Sequence, residues 1–238
     1  MQALIFCGGY GTRINKDLKK KKLKPLIKIN KKEILLRIIE IYKKNGIKNF
    51  ILLGGYKIND LKKFSKKIKG AKVQVLNTGL KTETGGRLLR AQNFIKNENF
   101  LLTYGDSLAS FNLKKTLKIK NKSNFVFSAH KYFVPYGVFG HSNQKINKIF
   151  EKNYPLLINA GFYMLDRRVF NFIKNEKDSF ESKIIPKIIN SKKIIIKYTL
   201  ANMWYPMDTI KDKKIIEEKL KWLWNFIQDI SILYIKKS

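Results

Sequence analysis

The chain has 238 residues, 44% of them hydrophobic, and is long enough to fold as a globular protein with a substantial core. Its single cysteine excludes an internal disulfide framework, and no apolar run approaches the roughly 18 residues of a membrane-spanning helix. We expect a cytoplasmic protein with no signal peptide ahead of its first apolar run and no membrane partner.

The net charge of +33 comes from 50 basic and 17 acidic residues. An excess of this size would ordinarily indicate a nucleic acid as partner. However, nearly all of the basic residues are lysines, and isoleucine and asparagine are abundant too; all three have adenine- and thymine-rich codons. The lysines are also dispersed rather than gathered in one basic arm. A biased genome accounts for the charge, so we expect no nucleic-acid partner. A basic nucleic-acid-binding protein is the alternative from a different class.

Short apolar runs alternate with segments of helical periodicity in the first half of the chain. The apolar runs predict strands at Ala3–Phe6, Phe50–Leu53, Val73–Leu76, Phe100–Thr103 and Phe125–Ala129. The periodic segments predict helices at Glu33–Lys44, Ile58–Lys69 and Gly86–Lys96. This alternation is typical of right-handed βαβ units. The predicted fold class is therefore α/β, with a Rossmann-like, mostly parallel sheet and helices on both faces.

The second half is more mixed, with strand-like segments joined by short turns. The chain contains no internal repeat or linker, so we predict a single domain over residues 1–238, in which 209–238 form a C-terminal helical segment. This segment is unusually apolar for an amphipathic helix and carries Trp222 and Trp224. A helix of this kind must cover an apolar surface: it can pack on its own domain, lie on a membrane or meet a second subunit. Packing on the chain's own sheet is the default, and its acidic residues make the membrane the weakest alternative. Because Trp222 and Trp224 fall on more than one face, one face can pack on the core while another meets a partner, and we predict a homo-oligomer that uses this segment.

A glycine-rich loop, GGYGTR at residues 8–13, follows the first predicted strand. It lacks the third glycine of a dinucleotide fingerprint and the lysine of a Walker loop. Without a Cβ at Gly8, Gly9 and Gly11, its backbone N–H groups can close on a phosphate. Arg13, one of only six arginines in the chain, can bind phosphate oxygens through two hydrogen bonds. The alternative is a tight turn between a strand and a helix.

Two further stretches carry residues suited to binding a nucleotide. Lys24 precedes Pro25, which favours an extended conformation and should keep the lysine off a helix. In TGLKTETGGRLLR, residues 78–90, Gly85 and Gly86 open a predicted helix whose N-terminus can face a base or a phosphate.

Two aspartates are candidate metal ligands. Asp106 directly follows a buried strand in LLTYGDS, and Asp208 lies in WYPMDT. A carboxylate at the carboxyl end of a strand, beside a phosphate loop, suits a divalent metal ion. The alternatives are a turn or capping aspartate at position 106 and, at position 208, the N-cap of a helix that begins near Ile210.

Taken together, these segments resemble those of the sugar-1-phosphate nucleotidyltransferases. In chain order they are G-G-x-G-T-R, K-P, T-G-G-R, Y-G-D, E-K at 151–152, N-A-G-F-Y at 159–163 and P-M-D-T. Within that family, TGLKTETGGR and WYPMDTIKD are most similar to segments of the glucose-1-phosphate cytidylyltransferases. The resemblance extends from Met1 to about Lys214 and implies the nucleotidyltransferase fold.

The resemblance also implies a reaction and its residues. A sugar 1-phosphate, with glucose favoured, attacks the α-phosphorus of a nucleoside triphosphate, with CTP favoured, and pyrophosphate leaves. The nucleophile is already anionic, so the protein must supply cations rather than a general base. The implied catalytic residues are Arg13 and Lys24, and the implied Mg²⁺ ligands are Asp106 and Asp208. The implied nucleotide-binding residues are Gly8, Gly9, Gly11, Thr12, Thr84, Gly85 and Gly86, and the implied sugar-phosphate-binding residues are Glu151, Lys152, Asn159 and Gly161.

Departures from the family pattern lie mainly on the sugar side. Asn153 replaces a proline, and Ser107 and Ser110 replace a glycine and an aspartate. The transfer reaction is therefore better supported than glucose as the sugar. Uridylyl or guanylyl transfer to another sugar 1-phosphate stays open, as does a catalytically inactive relative that senses nucleotides. Members of the family commonly assemble as homo-oligomers, which agrees with the prediction from the C-terminal segment.

Overall fold

The computed structural model describes residues 1–152 and 154–221. Its strands are β1 (Gln2–Phe6), β2 (Lys28–Ile29), β3 (Lys32–Glu33), β4 (Asn49–Gly54), β5 (Lys72–Asn77), β6 (Asn99–Tyr104), β7 (Ser107–Ala109), β8 (Phe125–Val134), β9 (Val138–Ser142), β10 (Lys145–Phe150), β11 (Tyr154–Asp166), β12 (Ile196–Leu200) and β13 (Trp204–Pro206). Its helices are α1 (Thr12–Lys16), α2 (Ile34–Lys44), α3 (Ile58–Ser65), α4 (Thr84–Arg90), α5 (Leu113–Lys120), α6 (Ile185–Asn190) and α7, which covers 210–221. The rest of the predicted C-terminal segment, including Trp222 and Trp224, lies outside the described residues.

A seven-stranded sheet forms the centre of the molecule, in the order β12–β8–β11–β6–β1–β4–β5. Every neighbouring pair is parallel except the two that involve β11, which runs antiparallel to both β6 and β8. The predicted α/β fold with a mostly parallel sheet is therefore confirmed. All five strands predicted in the first half are present, and each extends at least one residue beyond its predicted bounds.

Apolar side chains from the two faces of the sheet enter two separate core layers. Along β1, Ala3 and Ile5 face one layer, whereas Leu4 and Phe6 face the other. The first layer receives α2, whose predicted apolar stripe is fully buried, and the second receives α4 and α6. Gly46 follows α2 with a positive φ of 82°, a conformation that glycine adopts without strain and that ends a helix. Both faces of the sheet are thus covered, as the alternation of strands and helices predicts.

Two helices differ from their predicted bounds for local reasons. The predicted helix Ile58–Lys69 ends at Ser65, whose hydroxyl donates to the carbonyl of Lys62 at 2.9 Å and so competes with the helical hydrogen bonds. The predicted helix Gly86–Lys96 begins earlier, at Thr84, and ends at Arg90; a 3₁₀ turn at Gln92–Phe94 follows it. Within the described ranges, the helices are too short or too polar to cross a lipid bilayer.

A bulge interrupts the pairing of β11 with β8. Asn159 lies opposite Ala129 and Tyr163 lies opposite Phe127, so β11 contains two residues more than β8 over this interval. Within the bulge, Gly161 has a φ of 76°, and a Cβ at this position would lie 2.7 Å from the ring of Tyr104. The bulge therefore brings the β11 backbone against the carboxyl end of β6.

Candidate functional site

The glycine loop directly follows β1, at the centre of the carboxyl edge of the sheet. Gly11 has a φ of 59° and caps the short helix α1, so this position requires a left-handed backbone. The lack of a side chain at Gly8 leaves room for the guanidinium of Arg87, since a Cβ at Gly8 would lie 2.1 Å from Nη1 of that arginine. Gly9 is exposed, with no atom within 4 Å of its would-be Cβ. The backbone of the loop is thus open toward solvent at Gly9 and supported from behind at Gly8.

Lys24 is a buried lysine with two carboxylate partners. Its Nζ lies 2.7 Å from Oδ2 of Asp106 and 2.6 Å from Oδ1 of Asp208, and its side chain is only 10% exposed. The predicted extended conformation is wrong, because Lys24 begins a single 3₁₀ turn that ends at Leu26. Pro25 is compatible with this turn, since the first residues of a helix do not need their N–H groups.

The two aspartates are brought together by a small antiparallel ladder. β7 starts directly after Asp106, and β13 ends two residues before Asp208. In this ladder Ser107 pairs with Pro206, and the N–H of Met207 donates to the carbonyl of Asp106 at 3.0 Å. The ladder therefore holds two carboxylates that are far apart in the sequence on either side of one ammonium group.

The N-cap of α7 is formed by other residues, so Asp208 is not used for capping. The hydroxyl of Thr209 accepts from the N–H of Asp212 at 3.2 Å, and Oδ2 of Asp212 accepts from the N–H of Thr209 at 2.8 Å. These reciprocal bonds form a capping box. Asp212 also accepts from the N–H of Asp208 at 3.0 Å, which fixes the backbone of the latter and leaves its carboxylate directed at Lys24. The capping alternative for Asp208 is thus wrong.

Arg13 completes this group of charged side chains. Its Nη1 lies 2.9 Å from Oδ2 of Asp208, and its side chain is 72% exposed. Because Arg13 and Lys24 balance the two aspartates, the four side chains carry no net charge. They line one cavity of about 240 Å³, here called the phosphate cavity, together with Phe6, Cys7, Gly9, Gly11, Thr12 and Pro25. Burial raises the pKa of the Cys7 thiol, so that residue is a neutral part of the wall.

A second cavity adjoins the phosphate cavity across the glycine loop. It has a volume of about 390 Å³, and we call it the nucleotide cavity. Its lining comprises Gly8, Gly9 and Tyr10 of the loop, residues 80–84 and Arg87, and Phe6, Tyr104 and Asp106. The two cavities share Phe6, Gly9 and Asp106, so one ligand can extend through both.

Gly85 and Gly86 face a different part of the molecule. A Cβ at Gly85 would lie 2.5 Å from the carbonyl oxygen of Asp178, and one at Gly86 would lie 2.3 Å from that of Glu176. Both glycines are buried, and their lack of a side chain lets the 176–178 segment pack against α4. Thr84 does line the nucleotide cavity, but its hydroxyl donates to Glu181 at 2.7 Å and accepts from the N–H of Phe180 at 2.8 Å. A contact of these three residues with a base stays a prediction.

Arg87 is a structural part of the site that the sequence argument did not assign. Its Nη1 donates to Thr78 Oγ1 at 2.7 Å and to the carbonyls of Gly79 at 2.9 Å and Gly54 at 3.0 Å, while Nη2 donates to the carbonyl of Gly8 at 3.2 Å. One guanidinium thus ties the glycine loop to the ends of β4 and β5. Burial lowers the pKa of Arg87, and the nearby carboxylate of Glu83 opposes that shift. The sequence did contain a signal for this role, because Arg87 is one of few arginines in a lysine-rich chain.

The residues predicted to bind the sugar lie in two different environments. Asn159 is the last residue of β11 paired with β8 before the bulge, and its Nδ2 donates to the hydroxyl of Tyr163 at 2.6 Å, whereas its Oδ1 accepts from the N–H of Gly161 at 3.0 Å. The Tyr163 hydroxyl in turn lies 3.4 Å from that of Tyr104, which donates to Glu181. Burial raises the pKa of Tyr163 to about 12, so this chain of hydroxyl groups is neutral.

Glu151 and Lys152 lie in the exposed connection between β10 and β11. Lys152 has a φ of 50°, and Oε1 of Glu151 lies 3.6 Å from the position of a Cβ on Gly137. Among the described residues, those that line the phosphate and nucleotide cavities do not include either of them. The structure therefore does not bring these two residues together with the charged group, and their role stays a prediction.

The donor set of the phosphate cavity fits a magnesium ion. The described residues contain no cluster of three or more acidic, histidine or cysteine side chains at metal-binding positions. Mg²⁺, however, is commonly bound by one or two carboxylates together with substrate phosphates and water. Asp106 and Asp208 direct one oxygen each at a single cation, here the ammonium of Lys24, at 2.7 and 2.6 Å. Two hard oxygen donors converging on one point are the part of such a site that a protein supplies.

Comparison with known proteins matches this arrangement to a family. Residues 2–221 match the profile of the family described as nucleotidyl transferase. The chain belongs to the nucleotidyl transferase family. It is 29% identical to a glucose-1-phosphate cytidylyltransferase of Salmonella typhimurium, over 94% of this chain and 98% of that protein. It is 36% identical to a D-glycero-alpha-D-manno-heptose 1-phosphate guanylyltransferase of Campylobacter jejuni, over 76% of this chain and 83% of that protein.

Solved structures agree with the family. The crystal structure of HddC from Yersinia pseudotuberculosis, complexed with GMP-PN, matches with a TM-score of 0.74 and 25% identity, over 92% of this chain and 99% of that chain. The inositol-1-phosphate CTP transferase of T. maritima, 18% identical, shares the fold with a TM-score of 0.69. The predicted fold, family and enzyme class are confirmed, and the comparisons support transfer of a nucleotidyl group to a sugar 1-phosphate.

Proposed function

We propose that this enzyme joins CTP to glucose 1-phosphate, giving CDP-glucose and pyrophosphate. The observation that carries the proposal is the charged group in the phosphate cavity: two cations and two carboxylates beside an open glycine loop, next to a second cavity large enough for a nucleoside. In the proposed reaction an anionic phosphate oxygen attacks the α-phosphorus, and the bond to the leaving pyrophosphate breaks in line. No general base is needed, so positioning and charge neutralisation are the tasks of the protein.

Arg13 and Lys24 supply these cations in the proposal. Arg13 is exposed at the mouth of the cavity and can turn from Asp208 to a phosphate with little loss of packing. Lys24 is held in place by its buried stem and by the 3₁₀ turn, so its ammonium group is positioned before the substrate binds. The N–H groups of the loop at Gly9 and Gly11 add donors that bear no charge. All of these act on oxygens whose charge increases as pyrophosphate leaves.

Asp106 and Asp208 would hold Mg²⁺ in this proposal, and the ion would neutralise phosphate charge during the transfer. Without such an ion, the four charged side chains have no excess of positive charge to offer two polyanionic substrates. Divalent metal would raise the charge of the group to about +2, because the two cations and two carboxylates cancel. Arg13 and Lys24 are the side chains that such an ion would affect most directly, because their present partners are the same carboxylates.

The choice of CTP and glucose 1-phosphate rests on similarity. The TGGR and PMDT segments are most similar to those of cytidylyltransferases, and the Salmonella typhimurium protein of that name aligns over nearly all of both chains. The second candidate is guanylyl transfer to a different sugar 1-phosphate. It is favoured by the higher identity, over a shorter region, to the Campylobacter jejuni guanylyltransferase and by the match to HddC with a bound guanine nucleotide analogue.

A pyrophosphate-release panel tests both candidates. Four nucleoside triphosphates are crossed with glucose 1-phosphate, mannose 1-phosphate and a heptose 1-phosphate in the presence of Mg²⁺. We expect the highest kcat/KM for CTP with glucose 1-phosphate. A tenfold advantage of another pair, about 1.4 kcal/mol of transition-state preference, contradicts the assignment of base or sugar. Absence of pyrophosphate release from every pair would overturn the transferase itself.

We also propose that the protein works in the cytoplasm as a homo-oligomer in the synthesis of nucleotide sugars for polysaccharides. Glu151, Lys152, Asn159 and Gly161 would contact the sugar phosphate. Light scattering at micromolar concentration tests the assembly, and a monomeric mass would end that part. If the protein is oligomeric, Trp222→Glu combined with Trp224→Glu should dissociate it when the C-terminal segment forms the interface.

A further inference from the structure

Among the described residues, the nucleotide cavity contains one acidic side chain that forms no hydrogen bond or ion pair, although its charge acts on the nearby Arg87. Among the polar groups in its wall, Asp106 pairs with Lys24, Thr84 and Tyr104 bond to Glu181, and Arg87 bonds to backbone carbonyls. Glu83 also lines the cavity. Among the residues that the structure describes, its carboxylate has no hydrogen-bond or ion-pair partner.

The backbone of Glu83 is fixed although its side chain is not engaged. Its N–H donates to the carbonyl of Glu176 at 2.9 Å, and its own carbonyl accepts from the N–H of Arg87 at 2.9 Å. Glu83 occupies the N-cap position of α4, with φ of −77° and ψ of 171°, yet its side chain does not cap the helix. Glutamate is not among the residues that commonly cap this position with their side chains. The Glu83 side chain is exposed and lines the cavity, so its carboxylate is available to a ligand there.

The position of the cavity indicates which part of a nucleotide it would receive. This step rests on the proposed function: the triphosphate belongs with Arg13 and Lys24 in the phosphate cavity, so the nucleoside belongs in the adjoining one. Glu83 lines this cavity together with Gly8, Gly9 and Tyr10 of the glycine loop. A base bound in the cavity would therefore be within reach of a side chain that can only accept hydrogen bonds.

We propose that Glu83 selects a base with an exocyclic amino group. A carboxylate accepts from N4 of cytosine, and it can accept from N1 and N2 of guanine. Uracil and thymine present a carbonyl oxygen, O4, where cytosine has its amino group; their N3–H can donate one hydrogen bond, but O4 then faces the carboxylate as a second acceptor and repels it. Glu83 is thus a specificity-determining residue that favours bases with an exocyclic amino group, those of CTP, GTP and ATP, over those of UTP and dTTP.

Direct binding of nucleotides to the full chain tests this inference. Calorimetric titration with CTP, GTP and UTP, in Mg²⁺ and without a sugar phosphate, gives the three Kd values. We expect CTP or GTP to bind at least tenfold more tightly than UTP. In Glu83→Gln, whose amide can donate as well as accept, this ratio should fall to threefold or less. Glu83→Asp keeps an acceptor and should retain part of the preference.

Glu176→Gln is the matched control. It removes a carboxylate whose side chain pairs with Arg90 on the exposed face of α4, outside the nucleotide cavity, and should leave the ratio unchanged. A wild-type ratio below threefold, or a wild-type ratio retained by Glu83→Gln, would overturn the inference. If the wild type still releases pyrophosphate in either case, the proposed function survives and only the role of Glu83 is wrong. Failure of all three nucleotides to bind would overturn both.

Discussion

Two regions of the molecule differ in how their side chains are held. One is the phosphate cavity. The other is the hairpin region, which we define as residues 130–158 and which includes β9, β10 and the paired ends of β8 and β11. In the cavity, each charged side chain is held by another: Lys24 by two carboxylates, and Asp208 by Lys24 and Arg13. In the hairpin region, large apolar side chains are exposed, with Tyr136 at 74% and Ile146 at 63%. The others that are at least 43% exposed there are Tyr132, Phe133, Phe139, Ile149, Leu156 and Leu157.

This difference shows what the folded chain alone determines. Contacts within the chain position the four charged side chains of the phosphate cavity, whereas Glu151 and Lys152 lie at the end of a hairpin that contacts within the chain leave largely uncovered. Variants in the cavity should therefore have large effects on the reaction, and variants in the hairpin should have smaller ones.

The largest effect is expected for the two carboxylates. Asp106→Asn and Asp208→Asn keep the shape but remove charge, and each should lower kcat by roughly 100-fold or more while thermal unfolding changes little. Asp212→Asn is the control for the second: its amide oxygen can still accept the bonds from Asp208 and Thr209, so the same substitution four residues away should leave both kcat and stability nearly normal. Near-normal turnover of either first variant in saturating Mg²⁺ would refute a metal-binding role for that aspartate.

Arg87→Lys tests whether the glycine loop needs its support from behind. A lysine keeps the charge but cannot reach Gly8, Gly54, Gly79 and Thr78 together, so we expect a loss of about 2–3 kcal/mol in the free energy of unfolding and a higher KM for the nucleotide. Arg90→Lys, on the same helix, changes a partly exposed pair and should cost less than about 1 kcal/mol. Equal unfolding midpoints for the two variants would contradict this role.

Arg13→Lys tests whether the phosphate cavity needs the guanidinium group of Arg13 or only its positive charge. The exposed guanidinium contributes little to packing, so stability should not change. If the residue grips the triphosphate through two bonds, kcat should fall by at least about tenfold; if it only supplies positive potential, the many neighbouring lysines should make the change almost silent. Steady-state kinetics with varied nucleotide distinguishes the two. Wild-type kcat and KM would refute the role.

The smallest effect is expected in the hairpin region. Glu151→Gln should raise the KM for the sugar 1-phosphate about fivefold, the equivalent of one hydrogen bond to a hydroxyl group, without changing the KM for the nucleotide. Glu98→Gln, another exposed carboxylate, is the control. An unchanged KM for the sugar 1-phosphate would contradict a role of Glu151 in binding the sugar. A change in the KM for the nucleotide would indicate that Glu151 does not act at the sugar site.

Local sequence predicted those parts of the fold and site that depend on local chemistry. The apolar stripe of α2, the glycine loop after β1 and the strand end that carries Asp106 can each be recognised from a few neighbouring residues. The capping box of α7 was also readable, because Thr209 and Asp212 have its spacing. That pattern could have shown in advance that Asp208 is not needed as an N-cap.

What the sequence could not give depends on contacts between distant segments. The partners of Arg87 lie on the glycine loop, β4 and the end of β5, and no periodicity indicates them. Gly85 and Gly86 read as a ligand-binding start of a helix, yet the carbonyls that require them to be glycine lie in 176–178. The bulge in β11 lies where its register with β8 shifts, next to the start of its pairing with β6, and only the assembled sheet defines both pairings.

The ladder of β7 and β13 joins the two carboxylates to the core. It contains only three residue pairs and closes a long loop, whereas β1 is hydrogen-bonded on both sides within the large sheet. Its side chains are nevertheless packed in the interior, because Leu108 and Ala109 of β7 and Met207 after β13 are buried. Opening the ladder would expose this apolar surface to water, so the amide of Met207 should exchange its hydrogen about as slowly as a core amide such as that of Ile5. We therefore expect Asp106 and Asp208 to stay together for as long as the sheet remains folded.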